Sequence, residues 1–91
     1  MSGGGKASLD AMGDMIRTLS KVEQLLESVD RDLRQKYDSI GSSWNDEQYK
    51  KMGDEIDEVS RHINDCSAAL SEGTTKLQIR MRMLEQYLSL H

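Results

Sequence analysis

Apolar residues recur along the first part of the chain at steps of three and four: Met12, Met15 and Ile16, Leu19, Val22, Leu25 and Leu26, Val29, Leu33, Tyr37 and Ile40. That is the spacing of one face of an α-helix, not the alternation of a strand. Asp14, Arg17, Lys21, Glu27, Arg31 and Lys36 fall between them and make the wet face. Ser8 is a candidate N-cap, so the pattern predicts a helix over about 8–40, preceded by a flexible Gly-rich tail over 1–7. Ile40-Gly41-Ser42-Ser43 ends the stripe, and Gly41 can take the positive φ of a helix C-cap. A turn over about 41–45 follows, with Asn45 and Gln48 at capping-box spacing.

A second stripe begins at once: Tyr49, Met52, Ile56, Val59, Ile63, Cys66, Leu70, Gly73 and Leu77, then Met81, Leu84 and Leu88. Its three-four alternation is a heptad seam, and it predicts a helix over about 46–90. Ser71-Glu72-Gly73-Thr74-Thr75 is the weak point, because Gly and β-branched Thr lower helix propensity. A continuous helix with a bend or phase shift there is expected. The predicted fold is all-α: one helical domain over 8–91, an antiparallel two-helix hairpin. Leu19, Leu26, Val29, Leu33, Met52, Ile56, Val59, Ile63, Leu70, Leu77, Met81, Leu84 and Leu88 are the candidate core or interface residues. Of these, Leu26, Val29, Leu33, Met52, Ile56, Val59 and Ile63 are expected to form the core within the chain.

Both stripes are wider than a single seam can cover. Leu25 beside Leu26, Met15 beside Ile16, and Ala68-Ala69-Leu70 suit helices of a four-helix bundle. One chain supplies two helices, so dimerisation is expected, with itself or with another helical protein. Helix two would also overhang helix one, leaving Leu77 to Leu90 in need of a partner or a returning N-terminus.

Composition narrows the function. The 91 residues contain no Pro and no Phe, and 31% are charged, which favours helices. The net charge is −4, with a pI of about 5.1. Nucleic-acid binding needs a clustered positive surface, and the one basic group, Lys76, Arg80 and Arg82, reads as a solvated helix face. No apolar run reaches the roughly 20 residues of a membrane span, so no stable membrane insertion is expected. MSGGGKAS lacks the apolar segment of a Sec signal peptide. Cys66 is the single cysteine, and His62 and His91 lie far apart. No catalytic residue, cofactor-binding residue or metal-ligand set is predicted, and the chain is expected to work without enzymatic turnover. The carboxylates Asp54, Glu55, Asp57 and Glu58 read as a wet helix face.

The single tryptophan, Trp44, lies in the turn, where it can plug the cleft between two helices while its indole N–H finds a partner. Here the chain resembles a family. Ser42-Ser43-Trp44-Asn45-Asp46-Glu47-Gln48-Tyr49, between two helices in a chain near one hundred residues, looks like the turn of the WXG-type small proteins of type VII secretion. The likeness covers roughly residues 8–90, and its turn motif maps onto Trp44, Asn45, Asp46 and Tyr49. Asp46 stands where the family has Gly, and Tyr87 is followed four positions later by His91 rather than by the acidic residue of the family's export tail. The resemblance implies a non-enzymatic helical hairpin that dimerises with itself, with a related small helical protein, or with the helical domain of a larger secreted protein. It would be cytoplasmic before export, and exported itself without a Sec signal or acting as a targeting companion. The alternative is a cytosolic coiled-coil adaptor or a secretion chaperone unrelated to type VII.

Overall fold

A computed structural model describes residues 2–41 and 46–90. They form two α-helices, α1 (Ser2–Ile40) and α2 (Asp46–Ser89), with no strand among the described residues. The fold class is all-α, as the stripes predict. Gly41 follows α1 with φ at 65°, the left-handed conformation that a glycine adopts without steric cost and that stops a helix. Asp46 and Glu47 open α2, where carboxylates favour the positive end of the helix dipole.

The chain divides into two compact units: Gln24–Ala68, and Met1–Glu23 together with Ala69–His91. The first, the turn unit, is a helical hairpin. Tyr37 meets Tyr49, Arg34 meets Asp57 and Asp30 meets Ser60, so the end of α1 runs antiparallel to the start of α2. In the second, the terminal unit, Gly5 lies against Leu88 and Gly13 lies 3.9 Å (from an added Cβ) from Met81. The start of α1 is antiparallel to the end of α2.

α1 begins earlier than expected. Residues 2–7, read from sequence as part of a flexible tail, are helical, and Ser8 is not a cap: its hydroxyl donates back to the Gly4 carbonyl, 3.0 Å away. Packing accounts for the difference. Leu88 lies so close to Gly5 that an added Cβ would be 2.5 Å from its Cδ2, and such tertiary contact outweighs the poor helix propensity of glycine. Leu88 is thus met by a returning N-terminal segment rather than left overhanging. At the other weak point, α2 continues without a break through Ser71–Thr75. The hydroxyls of Thr74 and Thr75 donate to the carbonyls of Leu70 and Ser71 at 2.9 and 3.1 Å.

Candidate interaction surface

The half-buried residues fix the phase of each helix. On α1 they include Leu9, Met12, Ile16, Leu19, Glu23, Leu26, Asp30, Leu33 and Tyr37, an unbroken three-four repeat, with Gly5, Gly13 and Ser28 half-buried beside it. On α2 the repeat runs Gly53, Ile56, Ser60, Ile63, Ser67, Leu70, Thr74, Leu77, Met81, Leu84 and Leu88, with Ser60 fully buried and the rest half-buried. In heptad terms Leu9 and Gly53 are a positions, and Met12 and Ile56 are d positions. Leu19, Leu26, Leu33, Ile56, Ile63, Leu70, Leu77, Met81, Leu84 and Leu88 are half-buried along these repeats. Met52 is also half-buried, at a g position beside the seam.

Two seam expectations are corrected. Val29 and Val59, expected in the core of the chain, are 46% and 44% exposed. Ser60, not Val59, turns inward, and it is the one fully buried side chain among the described residues, at 1%. By the same phase Ser67 turns inward in place of Cys66, whereas Gly73 and Thr74 are both half-buried. The physical reason is an ion-supported polar layer in the turn unit. Ser60 Oγ donates to Asp30 Oδ1, and Asp30 Oδ2 lies 3.6 Å from Arg34 Nε. Arg34 Nη1 reaches Asp57 Oδ1 at 3.7 Å across the two helices. A carboxylate on the seam requires a donor opposite it, which serine supplies and valine cannot.

Next to the turn, the rings of Tyr37 and Tyr49 stack with centroids 4.3 Å apart and planes within 7°. Each phenol donates to the other residue's carbonyl, at 2.9 Å from Tyr37 and 3.5 Å from Tyr49. Gly53 leaves room for the Tyr37 ring: a Cβ there would stand 2.5 Å from the phenol oxygen. Burial against this stack, and then the hydrogen bond with Tyr49, raise the Tyr37 phenol above its ordinary value of 10.0. Tyr49, predicted for the turn motif, is therefore part of a clasp, while Asp46 is exposed at the first position of α2. Trp44 and Asn45 lie outside the described residues.

The two flanks of the seam differ in character. In the turn unit, Arg34 and Asp57, both e positions, pair on one side, so the e positions of the two antiparallel segments share that flank. Two shallow grooves there are lined mainly by polar groups: Glu27, Asp30, Arg31 and Asn64 in one, Arg34, Asp38, Asp54 and Asp57 in the other. The g positions must then share the opposite flank. Val29, Val59 and Cys66 are exposed there, with Leu25 beside them at 64% exposure; Lys36 and the half-buried Met52 occupy the other g positions of this unit. The terminal unit has exposed Met15 and Val22 at the g positions of α1, and exposed Met83, Tyr87 and Leu90 at the c and g positions of α2. Each unit therefore carries apolar side chains that its own seam does not use.

The chemistry of the rest is plain. Among the described residues no group of three or more His, Cys, Asp and Glu side chains could hold a metal ion. No described helix is long and apolar enough to cross a membrane. Lys76 pairs with Glu72 at 3.2 Å within α2, an ordinary solvated i,i+4 ion pair. No family model matches the sequence, and no curated protein or solved structure matches it.

Proposed function

We propose that the chain is a non-enzymatic, WXG-like protein of type VII secretion that works by helix–helix association, exported itself or serving as the targeting companion of a larger substrate. One observation carries the association part. No apolar side chain among the described residues is fully buried, while Val29, Val59, Leu25, Met15 and Met83 stand exposed beside the seam. Apolar surface left exposed beside a helix seam is what a partner covers, at about 25 cal/mol per Å² removed from water. A four-helix bundle of two chains covers it with helices of the same kind. The secretion part rests on the spacing of Trp44 and Tyr49 around the turn.

The two parts separate experimentally. Replacing Val29 and Val59 together by lysine should abolish association while circular dichroism stays helical, because both side chains are outside the seam. Secretion is tested by following the chain in culture medium and cytosol, with and without the membrane ATPase of the host's type VII system. Export that stops without the ATPase supports the reading. A chain that stays in the cytosol in both strains, with no secreted partner bound, favours the cytosolic adaptor instead.

A further inference from the structure

We infer that the terminal unit carries a docking site for an anionic lipid surface, formed by the outer side of α2 over residues 76–90: an apolar stripe bordered by arginines. The inference goes beyond the association reading and rests on residues of one unit, Met1–Glu23 with Ala69–His91.

The stripe is the first ground. Ile79, Met83, Tyr87 and Leu90 follow one another at steps of four, four and three, and all are exposed. In the heptad of α2 they take f, c, g and c. They form a second face, turned away from the seam residues Leu77, Met81, Leu84 and Leu88. Apolar residues scattered singly over a surface need no partner, but a row of them does. A helix docked on the g flank leaves f in water and reaches c only at its edge. A lipid surface is broad enough to take f, c and g together, with the helix lying in the plane of the interface.

Charge is the second ground, and it selects the kind of surface. The chain has a net charge of −4, yet residues 76–90 hold three basic side chains and one acidic. Arg80, at g, and Arg82, at b, border the stripe on its two sides and are exposed. The acidic one, Glu85, lies at e, across the helix. Lys76 pairs with Glu72 at 3.2 Å, so the two arginines supply the attraction. On α1 of the same unit, the g and c positions over 8–22 are Ser8, Ala11, Met15, Thr18 and Val22, all exposed and uncharged. In an antiparallel pair these share the flank of Arg80 and Tyr87, so among the described residues no carboxylate stands at the g and c positions of this unit. Arginine stems lie along apolar surface while their guanidinium heads reach phosphate oxygens. Tyrosine is suited to headgroup depth, with an apolar ring and a polar tip.

Flotation of the full chain with lipid vesicles tests the site. Wild type should float with vesicles of equal parts phosphatidylcholine and phosphatidylglycerol, and stay in solution with pure phosphatidylcholine. Arg80→Gln with Arg82→Gln should lower the partition coefficient on the anionic vesicles roughly thirtyfold, about fivefold per cation. Ile79→Asn with Met83→Asn, both outside the seam, should lower it roughly tenfold or more with circular dichroism unchanged. Arg31→Gln with Arg61→Gln removes the same charge from the turn unit and should leave it at the wild-type value. A chain that fails to float with the anionic vesicles, or floats as well with pure phosphatidylcholine, would overturn the inference; if it is a dimer in light scattering, the association reading stands. Flotation by a chain that light scattering shows to be a monomer supports the inference and counts against association. Equal losses from the two arginine pairs would reduce the binding to overall charge and overturn the site. An acidic amphipathic peptide that binds the Ile79 face while vesicles do not would assign that face to a protein partner and overturn the lipid surface as its occupant.

Discussion

Ser60→Ala deletes one oxygen from the most buried side chain described, and the structure fixes what that costs. Ser60 Oγ donates to a carboxylate that is itself only 23% exposed. A hydrogen bond to a charged group contributes about 1.5–3 kcal/mol. Asp30 keeps Arg34 and some water after the change, so the lower part of that range applies, about 1.5–2 kcal/mol. For a chain of this size that is a fall in Tm of roughly 6–16 °C. Replacing both partners by apolar residues, Asp30→Leu with Ser60→Ala, removes the desolvated charge along with its donor and should be near neutral or stabilising. The two substitutions would then be coupled by about 1 kcal/mol or more. Urea denaturation followed by circular dichroism, at one fixed protomer concentration, measures all four corners of the cycle. A Ser60→Ala protein as stable as wild type, or a double variant that simply adds the two single costs, would refute the polar layer as the reason for the seam's phase.

Other perturbations follow from the same geometry. Ile56→Asp puts an unpaired charge on the seam and should destabilise the turn unit by about 2–4 kcal/mol, visible as lost ellipticity; an unchanged melting curve would place Ile56 elsewhere. Gly41→Ala forces a side chain into a left-handed backbone and should cost about 1 kcal/mol, with Gly41→Asn milder, as denaturant midpoints can show. Tyr37 has a folded-state pKa above its ordinary value, so the folded state holds its proton more tightly than the unfolded chain. Its contribution is complete below pH 10 and is lost as pH rises through the folded value; Tyr37→Phe should flatten stability against pH in that alkaline window, and an equal slope in both proteins would count against the clasp.

Helix existence was legible from apolar spacing, and so were the stop at Gly41 and the continuation of α2 past Gly73. The phase of the α2 seam was not. Val59, Cys66 and Gly73 repeat every seven residues, as do Ser60, Ser67 and Thr74, and hydrophobicity favours the first row. Asp30 on the opposite helix selects Ser60 over Val59, and that is a tertiary fact. The same slip explains why Val29 and Val59 were read as core: a stripe wide enough for two contacts does not say which contact belongs to the chain itself. The start of α1 was hidden because glycine's local propensity argues against helix there, and the contact between Gly5 and Leu88 is remote in sequence. Glu23 and Asp30 at seam spacing were the one local sign of a polar layer.

Light scattering coupled to size exclusion, over a range of protomer concentrations reaching tens of micromolar, bears most directly on whether the exposed flank is an interface. Wild type should reach twice the chain mass of 10.3 kDa, and Val29→Lys with Val59→Lys should stay at the single-chain mass with its helicity kept. A wild-type chain that remains at 10.3 kDa throughout, fully helical and unchanged by other helical proteins encoded beside it, would contradict association through this surface.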